Sequence, residues 1–400
     1  MTFENYKAFY FQHLKKVILP FWLNRAVDDE YGGVYTCFDN ADGTLLSTDK
    51  YVWSQGRVAW LFAALSESDA FTGTERARFL DIAGKTAAFI AKHAFLDNGN
   101  AVFLLTREGA MKEPVPGGGY DTSVYVDNFV SLGLGRYAKA AGDKFFAELA
   151  NRCFASMRRR TEGGRYASAP YPVPEGYISH GIPMISTHNA HELGLMDIAR
   201  ASMDQVLGRF CDGKHIREFV PSGGGFDDET LLGRYINPGH IVECLWFALD
   251  VAQDSGNTKA TGKILDIALN ALETGWDDEY GGLFLYCDKD GGKPRGTLPH
   301  PEEPMGRKVS EDWGCKLWWV HSEALYTTLY AYKVSGDERF LAWHKKLHEY
   351  TLATFPNPDA SVGEWINVRT RDGKPDPRVV ALPVKDPYHI ARNLLLLSQL

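Results

Sequence analysis

The 400-residue chain carries 51 acidic against 43 basic side chains, a formal net charge of −8, with no long run of like charge. That balance excludes a nucleic-acid protein, which needs a basic face, and it gives no sign of a charged tail. Apolar residues make up 44%, enough for a large core, and no run of roughly 18 apolar residues is present to span a membrane. The N-terminal segment MTFENYKAFYFQHLKKVILPFWLNR lacks the long apolar run and cleavage site of a signal peptide. It reads as an amphipathic helix over 4–19 that stops near Pro20.

Helical periodicity then recurs over 52–69, 76–95, 122–142, 144–160, 184–200, 201–212, 238–254, 257–275, 313–335, 337–354 and 386–399. Most of these place apolar residues at i, i+3, i+4 and i+7, and Gly73, Gly142, Gly256 and Gly336 fall where stop signals belong. Segments 32–46, 101–110 and 281–292 alternate apolar and polar residues around a turn, the pattern of short hairpins. DDEYGGVY at 28–35 returns as DDEYGGLF at 277–284, and GGGYD at 117–121 as GGGFD at 223–227. Helix pairs with recurring loops point to a closed ring of helical hairpins. The expected fold is all-α, an (α/α)6 barrel of about twelve helices with short β-hairpins in the connecting loops. No Pro/Ser-rich linker interrupts it, so residues 1–400 read as a single domain.

Six cysteines, Cys37, Cys153, Cys211, Cys244, Cys287 and Cys315, are scattered with no CxxC pair. They read as reduced thiols in a reducing compartment, with the cytoplasm as the default. GNTKATGK at 256–263 is one residue too long for a phosphate loop, and Ile264 stands where a Ser or Thr should be. His188-x-x-His191-Glu192 is neither HExxH nor HxxEH, so no metal site is expected there.

Four segments carry chemistry. Arg57 opens an otherwise apolar helix in KYVWSQGR (50–57), where a charge is costly unless it is used; a structural ion pair is the plainer account. His240 and Glu243 in NPGHIVE share one face of a helix start, where a carboxylate can fix the imidazole tautomer. Trp318, Trp319 and Glu323 in KLWWVHSEA offer a stacking wall with a hydroxyl acceptor, or ordinary helix packing. DPYHIARN (386–393) again sets a histidine, His389, at a helix N-terminus, which lowers its pKa, with Arg392 three residues on.

KYVWSQGR, NPGHIVE, WWVHSEA and PYHIAR, with DDEYGGVYTCFD near the start, resemble in order and spacing the signatures of the N-acylglucosamine 2-epimerase family. The resemblance covers nearly the whole chain. It implies an (α/α)6 barrel and a sugar epimerase or isomerase of carbohydrate metabolism that acts beside a sugar carbonyl. Under it, His240 and His389 transfer protons on opposite sides of the sugar, Arg57 sits by the carbonyl or enediolate oxygen, and Glu243 orients His240. His188 matches a further polar residue of the pocket, with Asn189 and His191 competing for the place. Trp319 and Glu323 belong to the sugar-binding wall, and Tyr51, Trp53, Tyr120, Asn128 and Arg392 complete the expected substrate contacts. The implied partner is a small free sugar, with no nucleic acid and no membrane, and the implied assembly is a homodimer. No metal or other cofactor is required. A nucleotide regulates some relatives, and no segment here marks where one would bind. KYVWSQGR and WWVHSEA stand closer to the N-acylglucosamine branch than to the cellobiose branch. A mannose or cellobiose 2-epimerase and a mannose–fructose isomerase are the nearer alternatives. An (α/α)6 glycoside hydrolase using two carboxylates, drawn from Asp227, Asp228, Glu311, Asp312 and Glu323, is the alternative of a different class.

Overall fold

Helices that are apolar on nearly every face have nowhere to go but the middle of a fold. The computed structural model describes residues 1–380 and 382–400, and six such helices form its inner wall: α3 (Val52–Glu67), α5 (Val124–Ala141), α7 (Gly181–Glu192), α10 (Pro238–Asp254), α13 (Trp318–Ser335) and α15 (Tyr388–Gln399). Each contacts the next, and α15 returns to α3, closing the ring. Outside it, α1 (Phe3–His13), α4 (Gly73–His93), α6 (Lys144–Thr161), α8 (Met196–Gln205), α11 (Thr258–Gly275) and α14 (Glu338–Thr354) pack against α15, α3, α5, α7, α10 and α13 respectively. This is the (α/α)6 barrel that the periodicity predicts. Three shorter helices, α2 (Leu19–Arg25), α9 (Leu231–Arg234) and α12 (Pro304–Asp312), lie between ring members. No helix among the described residues is long and apolar enough to cross a membrane.

Alternation of outer and inner helices points all six inner N-termini to one end of the barrel. Short strands lead into four of the six inner helices. Lys50–Tyr51, ahead of α3, pairs with Leu104–Leu105, and Lys316–Leu317, ahead of α13, pairs with Val368–Arg369. Tyr177–Ser179 precedes α7 and pairs with Phe219–Pro221, and Tyr235–Ile236 precedes α10 and pairs with Cys287–Asp288. The two copies of the DDEYGG loop do one job twice. The Asp28 carboxylate takes the buried Lys50 Nζ at 2.9 Å, and Asp277 takes the buried Lys316 Nζ at 3.0 Å, tying each loop to the strand ahead of α3 or α13.

Glycine sets the closest helix pair. A Cβ on Gly56 would stand 2.3 Å from the Phe129 carbonyl oxygen, and one on Gly133 would stand 2.1 Å from the Gly56 oxygen. Helices α3 and α5 therefore touch backbone to backbone, which seats Arg57 against α5.

Three expectations change. The first helix does not stop at Pro20. A π-helical turn, Leu14–Ile18, leads into α2, where Pro20 falls in the first turn and its missing N–H costs nothing. The segments 184–200 and 201–212 divide instead at Gly194, which takes φ +73° between α7 and α8. Segment 281–292 does not pair with itself. Its strand, Cys287–Asp288, crosses to the residues that lead into α10.

Candidate active site

The strands and helix starts enclose a cavity of about 440 Å³ at the N-terminal end of the inner ring. Arg57, His240 and His389, the three residues on which the expected proton transfer depends, all line it. Asn237 caps α10 by accepting the His240 backbone N–H, which holds the histidine in the first helical turn. His389 occupies the second position of α15, where Asp386 accepts the neighbouring Tyr388 N–H at 2.8 Å. Trp319 neighbours both imidazoles, its ring 5.2 Å from that of His240 and 5.6 Å from that of His389.

Each imidazole is held by a carboxylate at Nδ1. His240 Nδ1 lies 2.9 Å from Glu218 Oε1, and His389 Nδ1 lies 2.6 Å from Glu323 Oε1. In both rings Nε2 has no protein partner among the described residues. Their electrostatics differ. Burial works against a charged His240, but the Glu218 carboxylate, with Glu243, outweighs it and raises the pKa above the ordinary value. Burial drives the His389 pKa far down; Glu243 opposes that, while Arg57 and Arg392 reinforce it.

Arg57 is oriented on every side. Its Nη1 lies 3.2 Å from Asp386 Oδ2, and its guanidinium carbon sits 4.1 Å from the Phe129 ring centroid, 4.8 Å from Trp53 and 5.2 Å from Tyr388. The fork is thus fixed by an ion pair and three aromatic rings, beside the cavity that Arg57 lines.

The remaining expected residues divide. Of the three competing side chains on α7, only His188 lines the cavity. It stacks on Phe247 at 4.2 Å with both ring nitrogens unpartnered, and burial pushes its pKa down to about 3. Asn189 turns to Asn128, whose side chain oxygen it meets at 3.0 Å, and His191 pairs with Asp254 at 2.7 Å. Trp53 and Asn128 also line the cavity.

Tyr51 does not. It stands on the strand ahead of α3 and packs edge-on to Phe103. Tyr120 sits 37% exposed on its loop, outside the cavity lining, where its backbone carbonyl accepts the Phe103 N–H. Glu323 is no part of a wall. Four residues beyond Trp319, it lies about 6 Å deeper along α13, fully buried behind His389, and also accepts the Trp246 indole N–H at 2.8 Å.

Glu243 does not orient His240 through Nδ1; Glu218 holds that atom. Side chains lean toward a helix's N-terminus, so His240 reaches over the start of α10 to the strand segment carrying Glu218. Glu243, one turn deeper, takes Arg392 Nη2 at 2.9 Å and comes within 3.5 Å of His389 Nδ1. Arg392, expected to contact substrate, is itself fully buried at the floor and held by both Glu243 and Glu323. Glu243, Glu323 and His389 offer ligand atoms close enough for one metal ion, but the cation these carboxylates meet is the Arg392 guanidinium.

Residues 195–392 match the family model described as N-acylglucosamine 2-epimerase (GlcNAc 2-epimerase). The N-acylglucosamine 2-epimerase of Bos taurus is 30% identical to this chain, over 96% of it and 88% of the bovine protein. The chain belongs to the N-acylglucosamine 2-epimerase family. The cellobiose 2-epimerase of Ruminococcus albus is 27% identical to this chain over 95% of both. The structure of a cellobiose 2-epimerase from Bacillus thermoamylovorans superposes with a TM-score of 0.78 over 99% of both chains at 20% identity, a likeness of fold.

In this member of the N-acylglucosamine 2-epimerase family, Glu218 and Asp386 are the site residues that motif reading passed over as partners. Asp386 was inside a quoted motif. Glu218 follows Arg217 between the apolar residues Ile216 and Phe219-Val220, and a pair of adjacent opposite charges does not say what either faces.

Proposed function

We propose that the protein is an isomerase that inverts C2 of a free N-acylglucosamine, N-acylmannosamine or related aldose by proton transfer between two histidines. One observation carries this reading: two imidazoles, each anchored at Nδ1 and free at Nε2, line one cavity with a guanidinium beside them. The sugar reacts as its open aldehyde. One imidazole Nε2 takes the proton from C2. The C–H electron pair becomes the C1–C2 double bond, and the carbonyl pair moves onto O1, next to Arg57. Such preorganised charge stabilisation is commonly the largest contribution to rate. The other imidazole then returns a proton to the opposite face of C2, and the carbonyl reforms with inverted configuration. An acetamido group at C2 disfavours the ketose that delivery to C1 would produce.

The hydrolase alternative finds no support. None of Asp227, Asp228, Glu311, Asp312 and Glu323 lines the cavity. Of the carboxylates that do, Asp39 accepts the Ala41 and Asp42 backbone N–H groups, Glu218 holds an imidazole, and Glu243 and Asp386 each meet a guanidinium. All six thiols are buried and unpaired, which supports a reducing, cytoplasmic setting.

The test is a panel of free aldoses and N-acetylhexosamines incubated with the protein in deuterated water and followed by NMR. The expected result is deuterium at C2 of both epimers for at least one sugar. Absence of label from every sugar, together with release of a reducing end from a glycoside, would overturn the reading.

A further inference from the structure

Two histidines that exchange roles in the forward and reverse directions give the free enzyme two protonation states, and their surroundings decide which of the two dominates at rest. Their surroundings are not equivalent. Glu323, behind His389, shares its Oε1 with the permanent charge of Arg392, which also takes Glu243. His389 is thus one of several groups drawing on carboxylates already neutralised in part, and it is sealed to 8% side-chain exposure. Glu218 meets no arginine or lysine among the described residues. Its Oε1 takes His240 at 2.9 Å, and its Oε2 lies 3.8 Å from Nδ1 of His180.

His180 is completely buried, and neither of its ring nitrogens has a hydrogen-bond partner. An imidazole in that state stays neutral, and burial lowers its pKa accordingly. It therefore insulates the far oxygen of Glu218 from water without cancelling its charge. Glu218 itself is 7% exposed, so a carboxylate is held in a dry position with a single group able to balance it. His240, at 39% side-chain exposure, can exchange its proton with solvent through the open side of the cavity.

We propose that Glu218, backed by His180, is the positioning residue that makes His240 the proton-bearing member of the pair in the resting enzyme. This rests on the proposed two-histidine reaction. Glu218 accepts Nδ1–H and stabilises the doubly protonated ring with Nε2–H at the cavity. For the epimer whose C2–H faces His389, the proton leaving C2 therefore goes to His389 Nε2 and His240 supplies its replacement. The resting state returns when His389 releases that proton to solvent and His240 takes one up. The other groups around His240 leave that assignment in place. Glu243 from its own helix favours the charged ring, Arg57 from α3 opposes it, and α13 presents the uncharged Trp319.

The experiment is the pH profile of kcat/KM for the epimerised sugar in wild type and Glu218→Gln. Activity should fall at high pH as His240 loses its proton. Removing the carboxylate should move that alkaline limb down by about one pH unit or more, with the acid limb in place, and Glu218→Asp should restore part of the shift. An unmoved alkaline limb, or a shift of the acid limb alone, would overturn the proposal. Wild-type protein with labelled histidine, its His240 ring signal assigned by its loss in His240→Asn, gives a reading independent of how the Gln variant folds. A charged ring at pH 7 is expected, and a neutral ring overturns the proposal. A charged His240 in a protein that labels no sugar at C2 would instead sink the proposed reaction and leave the role of Glu218 on His240 standing.

Discussion

The Asp386 carboxylate stands 3.2 Å from the Arg57 guanidinium, joining the last helix of the ring to the first inner one across 329 residues of sequence. The same carboxylate accepts the Tyr388 N–H at the start of α15 and the Ser54 hydroxyl at 3.3 Å. One side chain thus sets both the charge proposed to meet the developing oxyanion and the helix start that carries His389.

Asp386→Asn keeps the helix-start acceptor but can present an amide N–H to Arg57 in place of a carboxylate oxygen. Steady-state kinetics on the labelled sugar should show kcat reduced about 100-fold, the size of effect that follows from a small misplacement of a working group. Arg57→Lys should lower kcat by about 100- to 1000-fold, because a point charge on a flexible stem replaces a fork fixed by three aromatic rings. Near-normal turnover in both variants would remove Arg57 from the chemistry.

His240→Ala and His389→Ala should each lower turnover by about 10²- to 10⁴-fold while circular dichroism stays native. Neither ring lies in the apolar core; each faces the cavity on one side. Retained turnover in either variant would refute the assignment of proton transfer to that ring.

Gly56→Ala should destabilise the fold by about 3 kcal/mol or more, read by urea unfolding. The new methyl has no room against the Phe129 carbonyl, and backbone cannot yield as a flexible side chain can. Gly73→Ala, with open space around the position, serves as the control and should shift stability little.

Acid should loosen the N-terminal helix. Tyr10 OH bridges His344 Nε2 at 3.0 Å and His348 Nδ1 at 2.8 Å, and His13 Nε2 accepts the Trp365 indole N–H. Burial lowers all three histidine pKa values, to about 4 for His13 and about 3 for His344. The unfolded chain, titrating near 6.5, therefore binds more protons in acid than the folded one. Stability from these rings is complete above that pH and is lost as pH falls toward 4 and below. Tm should drop through this window, and His344→Gln should make the drop shallower. A Tm independent of pH between 7 and 4 would contradict the sign.

Much of the fold was legible because an inner helix of a ring must be apolar almost all round, and an outer one apolar on a stripe. Those periodicities survive in any context. Pro20 misled because a proline reads as a stop, whereas a π-turn ahead of it let the chain restart. Segment 281–292 misled because alternation identifies a strand but not its partner, and Cys287–Asp288 found one fifty residues upstream.

The motifs placed His240, His389 and Arg57 at helix starts, and a helix start in this architecture opens on the cavity. What they could not assign was the second contact of each side chain. Glu243 lies on the same face as His240 in sequence, yet Glu218 reaches the imidazole first, because a neighbour three residues along a helix is offset by a turn while a crossing strand need not be.

The sequence by itself determined which residues could carry charge and proton, and that they would gather at one end of a helical ring. Only the tertiary structure decided which carboxylate answers which cation: Glu218 for His240, Glu323 and Glu243 for Arg392, Asp386 for Arg57. Local periodicity dictates the face a side chain leaves from, whereas ion pairing depends on how separate loops and helices are brought within 3 Å or so of one another, and that distance is a property of the packed whole.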